Sequence, residues 1–351
     1  MIKNNQYIII SNGYRGGNIT FLSDHIDFLS KQKKNIILID DNPKKSYEKI
    51  PSSVKIKKIS TNNFNKKTNN ELSKILLTGK DKKCLFITNY AFIVKYFFLI
   101  RKFKKKKNLI ILTIHSGLLS LNVKNYLAGF LFSLIYGMAD VLCFGSSSAK
   151  NWWMKFYPWM KIKKASIHYN GVEIKKRSRN NKIGKKISIS FIGRLEKENN
   201  PELFLLIAKE YLKKKKNIIF NIFGDGQLEN HLKKNLLNKN IIFHGWSKKE
   251  KIYRKTDIVI ITSPVNNFPY VALEAKSFGI PVITCSKGDI SKIVKSGVDG
   301  YVLKTNTIEK FSESIDKILD NYSFFSNNSL KGSKNFNKSK LCKKFWDSLD
   351  I

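Results

Sequence analysis

Acidic residues are scarce in this chain: 26 aspartates and glutamates stand against 65 lysines and arginines, a formal charge of +39. That balance favours phosphates, an anionic membrane leaflet or nucleic acid as partners. The reading preferred here is an anionic membrane surface or a lipid-linked phosphate, then charge that serves solubility alone, with nucleic acid last. Cysteine is sparse as well. Cys84, Cys143, Cys285 and Cys342 are dispersed, and three of them sit in apolar stretches, so they read as small buried hydrophobes and not as a disulfide framework or zinc cluster. No compact group of carboxylates, or of His and Cys, marks a metal site. The start, MIKNNQYIIISNGYRGG, holds too short an apolar run for a secretory signal and reads as the first core strand of a cytoplasmic protein. Two phosphate-binding devices are missing too. Neither half has GxGxxG followed by a ribose-binding acid, and GxxxxGK[ST] is absent, which excludes the dinucleotide dehydrogenase and P-loop nucleotidase readings.

What is present is an α/β alternation, with 42% apolar residues in 351, enough for two domains. In the first half, β-branched runs at 6–11, 35–39, 54–59, 84–88, 109–114, 141–144 and 162–168 predict strands. Apolar spacing predicts helices at 19–31, 71–77 and 126–137. The last of these reads as buried, because Gly129, Gly137 and Asp140 break an otherwise membrane-like run. Ser146–Ser148 is a helix cap. Residues 89–108, NYAFIVKYFFLIRKFKKKKN, leave two readings open: a buried helix followed by a solvated charge run, or an interfacial helix whose lysine stems lie beside anionic lipid. A basic stretch up to Lys186 marks the domain boundary. The alternation restarts with strands at 187–192, 218–223 and 241–243 and helices at 201–211, 227–237 and 309–321. Residues 321–340 read as polar and partly loose, before a final helix at 341–349.

The stretch Asp257–Cys285, DIVIITSPVNNFPYVALEAKSFGIPVITC, organises the second half as strand, loop, short helix and strand. Pro269 suits the first helical turn and Gly279 the C′ position. In a parallel αβ unit the loop at the carboxyl end of the strand and the next helix N-terminus form an anion-binding edge. Glu274 lies about 7 Å along that helix from Pro269, at roughly 1.5 Å per residue, within reach of sugar hydroxyls beside a bound phosphate.

Taken in series, the motifs RGG at 15–17, IH at 114–115, NGVE at 170–173, FIGRLEKENNPELF at 191–204, FGDGQL at 223–228, FHGW at 243–246, NNFPYVALEA at 266–275 and GIPVI at 279–283 resemble the retaining GT-B glycosyltransferases of family 4, of the cell-envelope polysaccharide or lipopolysaccharide type. The resemblance implies a GT-B fold of two Rossmann-like domains facing a central cleft. Residues 1–175 would bind the acceptor and 187–330 the nucleotide-sugar, with 331–351 a tail and helix packing back on the N-terminal domain. It implies a hexosyltransferase that takes a UDP-, GDP- or ADP-sugar, undistinguished here, and acts on a glycan or lipid-linked acceptor. No metal is required, and the protein would be cytoplasmic and peripheral at the inner face of the cell membrane. The alternative is an inactive glycan- or nucleotide-sugar-binding protein on the same fold.

Residue roles follow from the same resemblance. Arg194 clamps the donor diphosphate, His115 lies near the transferred sugar, and Glu274 binds the ribose. Gly16 and Gly17 let backbone approach a donor phosphate or simply make a tight turn, and Arg15 is a phosphate contact or a solvated surface residue. Gly224 and Gly226 allow close loop approach near the nucleotide; Asn266, Asn267 and Phe268 contact the donor through backbone or amide groups. Two positions depart from the family pattern. Asn199 stands where the phosphate-binding Lys is usual, leaving Lys197 as the substitute cation, and Asn266 stands where a sugar-binding Glu is usual. An altered donor sugar is the reading preferred for both.

Overall fold

Isoleucine-rich runs form the strands, and most of their residues are buried on both faces, which parallel sheets covered by helices require. The structure is a computed structural model that describes residues 6–11, 17–40, 50–59, 65–79, 81–88, 90–114, 123–162, 164–174, 186–215, 217–234 and 238–349. Two compact units are present, Met1–Gly171 with Lys338–Ile351, and Val172–Asn337.

The first unit runs β1 (Gln6–Ile10), α1 (Gly17–Lys31), β2 (Asn35–Asp40), β3 (Lys55–Lys58), α2 (Lys66–Leu77), β4 (Lys83–Ile87), α3 (Tyr90–Lys95), α4 (Phe97–Lys105), β5 (Leu109–Ile114), α5 (Val123–Tyr136), β6 (Val141–Phe144), α6 (Ser147–Phe156) and β7 (Lys164–Ile167). Its sheet has the order β3-β2-β1-β4-β5-β6-β7, all parallel. Ser146 caps α6 as expected, accepting from the Ala149 N–H at 3.1 Å.

Within 90–108 the segment forms two helices with a buried side and an exposed side. Phe92, Ile93, Tyr96, Leu99, Ile100 and Phe103 are buried, while Val94, Phe97 and Phe98 are exposed among the exposed cations Lys95, Arg101, Lys102 and Lys105. Helix α5 corrects its expectation. It is not buried all round: Phe130, Leu131 and Leu134 are exposed, and Trp159 lies edge-on to Phe130 at 5.5 Å with its indole N–H donating to Ser133 at 3.0 Å. An apolar helix in the outer layer of an α/β unit covers the sheet with one face only, so a helix apolar on all sides leaves some of that surface outside.

The second unit runs β8 (Ile187–Ile192), α7 (Pro201–Lys214), β9 (Ile218–Phe223), α8 (Glu229–Lys234), β10 (Ile241–Gly245), α9 (Lys249–Arg254), β11 (Ile258–Ile261), α10 (Tyr270–Ser277), β12 (Val282–Thr284), α11 (Ile290–Ile293), β13 (Gly300–Val302), α12 (Ile308–Asp320) and α13 (Tyr322–Ser333). Its parallel sheet has the order β10-β9-β8-β11-β12-β13. Pro269 precedes α10 in an extended conformation rather than sitting in its first turn, and Gly279, at φ +71°, ends the helix as anticipated.

Residues 321–340 are not loose. They form α13, a short 3-10 turn (Lys334–Phe336) and the start of α14 (Lys338–Ser348), the last returning to pack on α1 in the first unit. Helix α13 buries Ser326, Ser329 and Ser333 against α10. Beneath it Lys276 and Asp299 form an ion pair at 2.6 Å, their side chains 1% and 3% exposed. Lys276 also donates to the Ile293 carbonyl, and Asp299 accepts from the Lys295 N–H at 2.8 Å. Burial pulls the Lys276 pKa down and the Asp299 charge opposes that pull. Breaking one side of such a pair strands a buried charge. Asp299→Ala is therefore expected to cost about 3–5 kcal/mol in urea unfolding, whereas Lys276→Met combined with Asp299→Leu recovers most of the loss.

Candidate functional site

The second sheet reverses its strand order between β8 and β11, and a parallel sheet opens its binding crevice at the carboxyl ends of such strands. The loops leaving those ends carry most of the candidate residues, and backbone bonds lace them together. After β8, the Gly193 N–H donates to the Phe223 carbonyl at 3.0 Å and the Leu195 N–H to the Asp225 carbonyl at 2.8 Å. Gly224 makes this approach possible. Its φ is +137°, and a Cβ there would lie 1.9 Å from the Gly193 carbonyl oxygen. A Cβ on Gly226 would lie 2.6 Å from the Leu195 carbonyl oxygen. These two glycines hold the β9 loop against the loop that carries Arg194.

Arg194 projects into solvent and pairs with Glu198 at 2.7 Å, the two side chains 70% and 49% exposed. Lys197 is exposed in the 3-10 turn Lys197–Asn199. Asn199 brings no charge to this loop but ties it down at both ends. Its amide donates to the Arg194 carbonyl at 2.8 Å, its backbone carbonyl accepts from Thr262 Oγ1 at 2.9 Å, and Ser263 Oγ donates to its Oδ1 at 3.4 Å. The residue in the place of the usual Lys thus staples the β8 loop to the end of β11.

The loop after β11 is fastened to the one after β12. The Asn266 N–H donates to the Lys287 carbonyl at 2.8 Å, the Asn266 amide to Ser286 Oγ at 3.0 Å, and the Asp289 N–H to the Asn267 carbonyl at 3.1 Å. Ser286 Oγ in turn donates to the Ser263 carbonyl. Phe268 is buried and lies edge-on to Phe336 at 5.6 Å, so its ring belongs to the core and not to a ligand-facing surface. Glu274, one turn into α10, is held by two donors: Tyr253 Oη at 2.8 Å from Oε2 and Lys249 Nζ at 2.5 Å from Oε1. Burial, and then the Glu274 charge, lifts the Tyr253 hydroxyl pKa well above its ordinary value. Sequence reasoning passed over both donors. Their signal was the spacing: Lys249 and Tyr253 are four apart on one short helix and so share a face.

In the first unit, Gly17 is exposed as the first residue of α1, while Arg15, Gly16 and His115 lie outside the described residues. A separate group there, His25, His168 and Cys342, is buried with its ligand-type atoms within 4.8 Å of one another. Its bonding is that of a packed core. The Trp346 indole N–H donates to His25 Nδ1 at 3.1 Å and occupies that lone pair, burial pushes the Cys342 thiol pKa far up, and Phe21, Phe86 and Phe345 close around His25.

Residues 172–335 match the family model described as glycosyl transferases group 1. Among curated relatives, the chain is 30% identical over 139 residues to the UDP-Gal:alpha-D-GlcNAc-diphosphoundecaprenol alpha-1,3-galactosyltransferase of Escherichia coli, covering 37% of this chain and 36% of that one. It is 28% identical over 220 residues to the Campylobacter jejuni GalNAc-alpha-(1->4)-GalNAc-alpha-(1->3)-diNAcBac-PP-undecaprenol alpha-1,4-N-acetyl-D-galactosaminyltransferase, covering 60% of each. The chain spans 36–45% of the length of the first curated relatives it matches. A crystal structure of Anabaena Alr3699/HepE with UDP and glucose superposes with a TM-score of 0.78 over 98% of this chain and 99% of that one at 13% identity, which establishes a shared fold.

The Arg194–Glu198 pair sets a specific expectation. An anion approaching Arg194 meets a carboxylate already on the guanidinium, in an exposed pair of small worth. Glu198→Gln is expected to tighten the binding of pyrophosphate, used as the probe, by about two- to fivefold in titration calorimetry. Unchanged or weaker binding would mean that Glu198 does not compete for that guanidinium.

Proposed function

We propose that this chain, whose residues 172–335 match the family model described as glycosyl transferases group 1, transfers a hexose from a nucleoside diphosphate sugar to a hydroxyl of a cell-envelope glycan or lipid-linked acceptor, with retention at the anomeric carbon. One observation carries the reading. The loops at the sheet's switch point are laced into a single rigid edge that holds Arg194 on one loop and, on the helix after β11, a Glu274 carboxylate fixed by two donors. Rigid donors and acceptors at such an edge stabilise charge without reorganising during reaction.

In this reading Arg194 exchanges Glu198 for the donor diphosphate, where its planar donors meet paired phosphate oxygens. The bond from the anomeric carbon to the phosphate oxygen breaks, the acceptor oxygen bonds to that carbon from the same face, and the departing phosphate oxygen takes the acceptor's proton. Glu274 accepts from ribose hydroxyls and is not a nucleophile. Asn266 and Asn267 serve the donor sugar through backbone and amide groups, with Lys197 as the substitute cation for the Lys that Asn199 replaces. In the first unit, Arg15, Gly16 and Gly17 keep the role of phosphate contacts, and His115 that of a neighbour of the transferred sugar.

The acceptor side of the proposal is a lipid-linked glycan at an anionic membrane surface. The E. coli and C. jejuni relatives are named for acceptors on diphosphoundecaprenol and PP-undecaprenol. Between Lys82 and Val172 the sole acidic residue is Asp140, and the outer surface of that stretch exposes Val94, Phe97, Phe98, Phe130, Leu131, Leu134 and Trp159. Apolar side chains set among lysines and arginines suit the interface of an anionic bilayer. Among the described residues no helix is long and apolar enough to cross a membrane.

Two measurements test the proposal. With a panel of nucleotide-sugars and lipid-linked acceptors and intact product analysis, Arg194→Ala is expected to lower transfer at least about tenfold, the worth of one charge-assisted phosphate contact. Donor binding without turnover by the unaltered chain would instead favour an inactive binding protein. In flotation, the chain is expected to rise with anionic liposomes and not with neutral ones, and Phe98→Ser with Leu131→Ser to weaken that association; equal absence from both vesicles removes the membrane part.

A further inference from the structure

We infer that Tyr253 and Lys249 are positioning residues that make Glu274 a two-point acceptor for a vicinal diol, and so set a preference for ribonucleotide over 2′-deoxyribonucleotide donors. The inference rests on the proposed role of Glu274 at the ribose and adds how that role is enforced.

An ionised carboxylate offers about four acceptor sites, two on each oxygen. Here the donors are divided evenly, Tyr253 Oη on Oε2 at 2.8 Å and Lys249 Nζ on Oε1 at 2.5 Å. With one donor on each oxygen, each keeps acceptor capacity for a further hydroxyl, a division that suits two adjacent hydroxyls. The side chain of Glu274 is 13% exposed, so it presents an edge to solvent and little more. Tyr253 has no freedom to follow a moving partner. It is 1% exposed and its ring stacks on Phe278 at 5.2 Å with planes 23° apart. Its hydroxyl stays protonated, and hence a donor, because burial and the adjacent carboxylate both oppose its ionisation. Lys249 supplies the opposing charge that lets a carboxylate sit this deep. The backbone side of the arrangement is equally fixed, since Lys249 and Tyr253 lie one turn apart on α9 and Glu274 projects from α10 toward both.

Such a site discriminates by what is left unpaired. A ribose fills both remaining acceptor positions, whereas a 2′-deoxyribose leaves one acceptor in a desolvated contact with no donor, and sites built around a hydroxyl reject analogues that lack it. If Tyr253 loses its hydroxyl, Glu274 regains rotational freedom and can turn its open oxygen to water, so the penalty on the deoxy ligand falls.

The experiment compares binding of UDP and GDP with their 2′-deoxy counterparts to the full chain and to Tyr253→Phe, Lys249→Gln and Glu274→Gln. The unaltered chain is expected to favour the ribonucleotide at least about tenfold, and Tyr253→Phe to narrow that ratio about fivefold or more with little change in affinity for the deoxy ligand. Lys249→Gln, at a side chain 41% exposed, gives the same test where folding is not at stake, and it is expected to narrow the ratio too. Equal weakening of both ligands, with the ratio intact in both variants, would overturn the positioning role while leaving Glu274 at the ribose. A ratio near one in the unaltered chain would overturn the Glu274 assignment and this inference together.

Discussion

The Lys276–Asp299 ion pair fixes helix α10, and much of the chemistry ascribed to the second unit hangs on that helix. Lys276 points inward, under α13, where its ammonium is held by Asp299 and by the Ile293 carbonyl at the end of α11. Glu274, two residues earlier, lies on another side of the helix and meets Tyr253 and Lys249 on α9. A buried pair of this kind contributes little net stability compared with apolar residues of the same shape, but it tolerates few alternative arrangements. Its use here is register. With the inward charge locked, the helix cannot rotate or slide, and the outward carboxylate keeps its two donors.

The β8 loop shows the complementary situation, a charge held loosely on a rigid base. Asn199 ties the backbone of Arg194 to Thr262 and Ser263, while the guanidinium itself stays exposed and pairs with the exposed carboxylate of Glu198. Exposed pairs exchange partners at small cost, because water and salt already screen them. The departure from Lys at 199 therefore alters the electrostatics more than the geometry. Two cations in this loop, Arg194 and Lys197, face two anions, Glu196 and Glu198, so a phosphate bound here would draw more of its stabilisation from backbone N–H groups and from cations on other elements.

Much of this architecture was legible in the sequence, for a physical reason: β-branched runs buried on both faces carry their own signal, and the strands at 109–114, 141–144, 187–192 and 218–223 lie where those runs lie. Helix α13 was not legible. Its sequence, YSFFSNNSLKGS, lacks the apolar stripe that marks an ordinary packed helix, because it packs by closeness and not by bulk. Ser326 sits where a Cβ on Gly279 would be 3.2 Å from its Oγ, and Gly332 leaves room for the Lys276 ammonium, which a Cβ there would approach to 3.0 Å. Polar and small residues are what such a contact needs, and in sequence they look like a loop. The site divides the same way. Arg194 and Glu274 stand out as residues, but the Asn199 staple and the Tyr253–Glu274 bond join positions 63 and 21 residues apart, and no local pattern announces a pairing made only by the sheet.

The same reasoning applies to the acid-poor half of the chain. Asp140 is the sole acidic residue from Lys82 to Val172, and its half-buried carboxylate accepts from the Ile110 N–H at 2.9 Å and pairs with Lys104 at 3.2 Å. Lys104 also donates to the Met138 carbonyl, so that cation too is turned inward, joining the end of α4 to the turn after α5. Asp140 apart, the exposed charges among the described residues of this stretch are cationic, and they stand beside apolar side chains that the core did not take up. Solubility alone does not call for that combination, since mixed charge over a polar surface serves it better. A surface that is both cationic and apolar is costly next to water and favourable next to an anionic interface, where the stems and rings are covered and the charges meet phosphate.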